Sequence, residues 1–386
     1  MRQNTSGLLK GGWGWRFFVL THLVLTLLSS MPMAAPADDQ AFFAILVETK
    51  MMRMAGMPLM KEMPELPKGF KMPAGMEMMT GKPSRLVNMR LWSPSIAPKE
   101  AAASVVPPAG LKQGSKLDLD LYRPEGTDAP KVRGDQFDPD SQPDFTIKIY
   151  WGSSETVKEG QPKIIKWGGL TPEQKAAMKA RARDSRADND YFYKPDWTTA
   201  FWPTKKQTGQ IDPVASLVGT YALTTNYTGN VSIDAPDNVN FLAPIEISRP
   251  NLEEKIAFDK ALNFQWGQIP NVLGQSASII GMEGKNTIIM WSSSEVFTEG
   301  LMGDMGFLQM AEVRDFVAKT IFMNGDRSTV DVPAGIFQNA DFVMMNMVGY
   351  GPGSALEKAQ PLPRIQTKTT LSVMLGGKKM KGIGGR

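Results

Sequence analysis

Cysteine is absent from this 386-residue chain, and histidine occurs once, at His22. Without a thiol there is no disulfide and no thiolate nucleophile. Without an imidazole beyond residue 22, the rest of the chain has no Ser-His-Asp or Cys-His arrangement and no His- or Cys-ligated zinc site. The chemistry left belongs to carboxylates, Lys, Tyr and Met. No spacing singles out a carboxylate pair of the kind that cleaves glycosidic bonds. No run approaches the ~20 apolar residues of a membrane-spanning helix. Charge of one sign is lacking too: 43 basic residues stand against 39 acidic ones. That near-balance offers no basic face to a nucleic acid.

What is present begins with a segment built for export. Arg2, Lys10 and Arg16 precede the short apolar run Phe17–Leu28, and Ala35-Pro36-Ala37 supplies an A-x-A cleavage site. Residues 1–37 therefore read as a secretory signal peptide. Its removal takes three basic residues and no acidic one, leaving 40 against 39. The expectation is an exported protein, periplasmic or extracellular, with no transmembrane segment after cleavage. The length suits two ordinary domains, and 36 Gly with 28 Pro imply many turns and an all-β architecture.

Residues 38–83 read as a leader. Asp38–Thr49 is a short amphipathic opening, one helical turn or an edge strand. Beyond it lie ten methionines between Met51 and Met79, broken by Pro58, Pro64, Pro67 and Pro73. Such a Met/Pro-rich, low-complexity tract builds no long helix and is expected to be disordered.

Residues 84–240 read as a β-rich domain. Val87–Trp92 is a strand, and a Pro- and Ala-rich link runs from it to Pro108. Leu117, Leu119 and Leu121 alternate with polar neighbours, as do Phe145, Ile147, Ile149 and Trp151. Thr171–Ala187 is a basic helical insertion with Thr171 as cap and Pro172 in the first turn. An aromatic loop, Tyr191–Trp202, comes next, then β runs at Val214–Tyr227 and Val231–Ile233.

Residues 241–375 read as a second domain centred on Phe258–Ser294, which is strand, turn, strand, turn, strand. Leu262, Phe264 and Trp266 alternate with polar residues, and a Pro270 turn follows the Trp, as in sandwiches of the fibronectin type III or Ig-like kind. A helix over Leu308–Phe322 is stopped by Asn324-Gly325. Further strands are expected at Phe342–Tyr350 and Ile365–Leu375, before a basic Gly-rich tail at 376–386. The expected fold class is mainly β, with two β-sandwich-like domains behind a disordered leader.

Several short stretches carry a resemblance. They are Val106-Pro107-Pro108-Ala109-Gly110-Leu111, Ile149-Tyr150-Trp151-Gly152 with Glu155 and Gly160-Gln161-Pro162, and Ala215-Ser216-Leu217-Val218-Gly219 with Asn226-Tyr227-Thr228. Phe264-Gln265-Trp266, Met290-Trp291-Ser292-Ser293 and Met374-Leu375-Gly376 complete the set. In these the chain resembles a family of uncharacterised, predicted secreted bacterial proteins with a Met-rich leader, a β-rich half and a fibronectin-like half. The resemblance implies export and this architecture, and brings no activity. Where similar sequences have Cys after Trp-Gly, this chain has Ser153.

Three candidate sites remain. Met51, Met54, Met57, Met60 and Met63 fall three apart, and Met76, Met78 and Met79 cluster. Thioether sulfur is a soft ligand that selects Cu(I); the other readings of the tract are an adhesive, adaptable surface for a partner and a low-complexity leader with no core to specify. Tyr191, Tyr193, Trp197 and Trp202 form a candidate glycan-stacking platform, against the commoner role of pinning a loop to its domain. Asp135, Asp138, Asp140 and Asp144, with Asn324, Asp326, Ser328 and Asp331 as a weaker copy, offer oxygens to calcium at a spacing that matches no EF-hand. The reading that follows is a non-catalytic binding or structural protein of the cell envelope, with an envelope protein or glycan as partner and no resident cofactor. The alternatives are Cu(I) binding by the leader and a carbohydrate-binding or carbohydrate-active protein.

Overall fold

In a computed structural model of the protein, residues 40–57, 81–94, 96–123, 145–176, 197–207, 209, 211–298 and 305–378 are described. The fold is mainly β: one mixed sheet of 15 strands and a second sheet of three. Residues 1–39 and 58–80, the acidic stretch 134–144 and the last eight residues lie outside the described residues.

The first described strand sits in the middle of the large sheet. β1 (Phe42–Met54) opens with the run FFAILV, apolar at successive positions, and such a strand is stable only when buried on both faces. It pairs antiparallel with β2 (Ser84–Ser93) and, on its other side, parallel with β18 (Leu362–Gly376) near the far end of the chain. The expectation of a helical turn or edge strand, followed at once by a leader, is thus corrected over residues 42–54. The Met content there belongs to a central strand.

From β2 the sheet continues through β7 (Thr198–Trp202), β4 (Leu117–Tyr122), β3 (Ala103–Val106), β8 (Gly219–Thr225) and β9 (Val231–Ala235). It curls until β9 lies against β17 (Ser354–Ala355) and β18, enclosing a barrel-like core. That core holds Ile45, Val87, Leu91, Leu119, Trp202 and Tyr221. β3 and β7 fall where the sequence reads as link and loop. On each short strand a small alanine alternates with one larger inward residue, Ala103 with Val105 and Ala200 with Trp202, so the apolar period is faint.

From β18 in the other direction come β16 (Phe342–Tyr350), β12 (Gly274–Glu283), β13 (Thr287–Ser292), β5 (Thr146–Trp151) and β6 (Lys163–Lys166). β5 pairs parallel with β13, so strand pairing runs across residues 240/241 here as well as at β1–β18. The small sheet, β10 (Ile247–Arg249), β11 (Leu262–Trp266) and β15 (Thr329–Val332), packs over this half. Phe264, Trp266, Val330 and Val332 meet Ile279, Trp291, Met345 and Val373 across the interface. β11 alternates as its sequence predicts, with Leu262, Phe264 and Trp266 inward.

Helix α1 (Met310–Ala318) covers the opposite face of β16, burying Val313 and Phe316 against Val348 and Tyr350. The Glu312 carboxylate accepts the Gln309 N–H at 2.7 Å and caps the first turn. The helix ends before Asn324-Gly325 because Thr320 adopts φ 56°, and the Ile321 and Phe322 N–H groups both turn back to the Phe316 carbonyl. Thr171 caps a helical turn at 172–176: its hydroxyl accepts from Gln174 N–H and its N–H donates to Gln174 Oε1. The remainder of that expected helix lies outside the described residues.

The β15 border of the small sheet is tied to the turn that follows β5. Ser153 hydroxyl accepts the Asp331 N–H on β15, and Ser154 N–H donates to the Asp331 carbonyl. The turn that carries them depends on Gly152, at φ +86°, whose carbonyl accepts from Trp291 Nε1 at 3.1 Å.

Candidate functional site: the outer face of the central strands

In β18, Ile365, Leu371, Val373 and Leu375 face the two cores, so the even-numbered residues point to the opposite, outer face. β1 obeys the same parity: Phe43, Ile45, Val47 and Met51 are inward, whereas Phe42, Ala44 and Leu46 join Trp92, Trp197 and Phe307 outside. Register then places outer-face residues side by side in rows that cross the sheet.

One end of this face is polar. Arg364, Gln366, Lys368 and Thr370 follow one another on β18. The Arg364 guanidinium lies 5.4 Å from the Phe42 ring, and the Lys368 ammonium 4.5 Å from the Phe307 ring, both in cation–π range. Glu48 is the register partner of Lys368 and accepts a hydrogen bond from the Thr370 hydroxyl. Lys368 is 4% exposed and Gln366 6%, so these are polar groups inside the fold.

Two buried glutamines differ in how they are satisfied. Gln275 takes the Trp266 Nε1–H on its Oε1 at 2.9 Å and donates Nε2 to the carbonyls of Gly325 and Arg327. Among the described residues, Gln366 finds no partner for either its amide oxygen or its nitrogen. A buried amide left unpaired costs about 1–3 kcal/mol, so Gln366, with both amide atoms unspent, is a group on this face suited to an outside partner.

The other end of the face is lined with thioethers. Met54, Met374 and Met344 are direct register partners on β1, β18 and β16, and Met52, Ser372 and Asn346 form the next row. Ser372 donates to Asn346 Oδ1 at 2.8 Å. The four methionines are half-buried.

The residues expected from sequence are dispersed. Met51 is inward, in the core beneath the small sheet, while Met54 is outward and Met57 is 49% exposed in the turn that follows. A spacing of three places successive residues on opposite faces of a strand, so Met51 and Met54 do not converge. Met60, Met63, Met76, Met78 and Met79 lie outside the described residues, as do Tyr191 and Tyr193. Trp197 and Trp202 are core residues, 6% and 0% exposed, and present no indole face to a sugar ring. That corrects the described half of the stacking platform. In the weaker calcium candidate, Asp331 Oδ1 accepts from Asn263 and Asn324 Oδ1 from Gly325 N–H. Among the described residues, no three His, Cys, Asp or Glu side chains stand close enough to hold an ion.

Gln366, Lys368, Glu48, Met344 and Met374 escape the sequence reading. Their signal is a Gln and a Lys inside a long Thr-rich strand with apolar residues at both ends, which reads equally well as a half-solvated strand. The chain matches no protein-family profile, and no curated protein is similar to it.

Proposed function

We propose that this is an exported, non-catalytic binding protein of the cell envelope, in keeping with the secreted bacterial family it resembles, and that its contact surface is the polar end of the outer face. The observation that supports this is Gln366, whose donor and acceptor are both unspent at 6% exposure. A primary amide pairs with a group offering an acceptor and a donor together, as a peptide bond does. Arg364 and Lys368 flank it with positive charge suited to an acidic peptide. The segment bearing Phe307 is the cover that such a partner displaces. We also read the small sheet closing over β12, β13 and β16 as a sandwich of the fibronectin type III kind, a scaffold used for binding rather than catalysis.

The test is sedimentation of the purified protein with isolated envelopes over a concentration series, alongside Gln366→Leu. Saturable binding that weakens about tenfold in the variant, about the 1.4 kcal/mol of one lost hydrogen-bond pair, is expected. Non-saturable binding, or equal binding by both proteins, would overturn the reading.

A further inference from the structure

The thioether end of the outer face is independent of Gln366 and carries a separate chemistry. Met54, Met374 and Met344 occupy one row on three adjacent strands. Neighbouring backbones in a sheet lie about 4.5–5.5 Å apart at paired positions, and Met has three rotatable side-chain bonds that let its sulfur lean toward a neighbour. Three thioethers in one row can thus meet above the middle strand. Met52, one row along on β1, is a fourth within the same patch.

Packing alone does not account for this choice. The inward methionines Met345 and Met347 are buried and fill a core, as Met does in many proteins. The outward ones are half-buried, where β-branched residues hold a strand better than Met. Neutral sulfur donors with no carboxylate in the row discriminate against hard divalent cations, and thioether sets select Cu(I). The chain beyond residue 37 has no Cys or His to compete for it.

We propose that Met54, Met374 and Met344 form a surface site for one soft monovalent cation, Cu(I), with Met52 as an adjacent donor. The site is built by tertiary pairing of β1, β18 and β16 and differs from a leader whose sulfurs act by sequence proximity.

The experiment is a Cu(I) competition titration of the full protein against a colorimetric chelator under reductant, with sulfur-only coordination read by X-ray absorption. Met54→Leu/Met344→Leu/Met374→Leu preserves side-chain volume. A second protein carries Leu at Met60, Met63, Met76, Met78 and Met79. Removal of an outer-shell group already costs about tenfold or more in metal affinity, so at least that loss is expected for the row variant, with the leader variant unchanged. Single Met374→Leu serves if the triple variant fails to fold. Failure of the wild-type protein to take Cu(I), or loss of binding in the leader variant instead, would overturn the proposal. Envelope binding through Gln366 is read separately and survives either result.

Discussion

At the scale of single residues, the two buried glutamines make opposite predictions. Gln275→Leu strands the Trp266 Nε1–H and two carbonyls in the core, and is expected to cost about 2–4 kcal/mol. Gln366→Leu removes an amide that has no partner, and is expected to stabilise the free protein by about 1 kcal/mol. Urea unfolding midpoints at constant slope check both, and a destabilised Gln366→Leu would show that the amide is satisfied in the free protein. Two buried phenols give a pH dependence. Burial raises the Tyr221 and Tyr227 phenols, Tyr227 to about 12 despite the opposing charge of Arg123. An unfolded chain ionises its tyrosines near 10, so the stability these groups contribute is intact below that pH and is lost as pH climbs toward 12. Tyr221→Phe/Tyr227→Phe should therefore move the alkaline unfolding midpoint upward in a circular-dichroism titration. An unmoved midpoint would assign alkaline unfolding to other groups.

At the scale of elements, β6 ends the large sheet among the described residues, and its composition guards that border. It has four residues, Lys163 and Lys166 bracket Ile164 and Ile165, and Pro162 precedes it. Short length, Lys and Pro are the devices that stop a free edge from pairing with another chain. Ile164 is 50% exposed, so the charges are what keep an apolar edge solvated. Lys163→Val/Lys166→Val is expected to self-associate in a concentration-dependent way by light scattering, and a strictly monodisperse variant would count against an open edge at β6. Elements with clean period-two alternation, such as β4, β5 and β11, were legible in the sequence. The short strands β3 and β7 were not, because one of the inward positions on each is a small alanine, Ala103 and Ala200, which blunts the apolar period. β1 was legible as apolar, yet its central position was invisible, since an unbroken apolar run does not name its neighbours.

At the scale of the whole molecule, strands far apart in sequence meet: Phe42 of β1 pairs with Leu362 of β18 and Met54 with Met374. β5 and β13 tie the sequence halves together a second time. Fragments 38–240 and 241–386, expressed separately, are therefore expected to lack cooperative thermal unfolding, because each is left with unpaired central strands. A cooperative transition in either fragment would show that its half folds alone. Pairing at such sequence separation also places this protein among slow folders, since loop closure precedes the reward of contact.

The sequence by itself determined which chemistries the chain lacks, that it is mainly β, and where most strands run. Those properties follow from composition and from local alternation, which each segment carries within itself. It also held the methionines, the glutamine and the lysine that line the outer face, but not their grouping. Only the tertiary structure decided that Met54 stands beside Met374 and Met344, that Gln366 is buried unpaired while Gln275 is satisfied, and that Trp197 and Trp202 are core. The reason is that a strand's neighbours are set by which partners bury both its faces together. That is a property of the assembled sheet and is written in no single stretch.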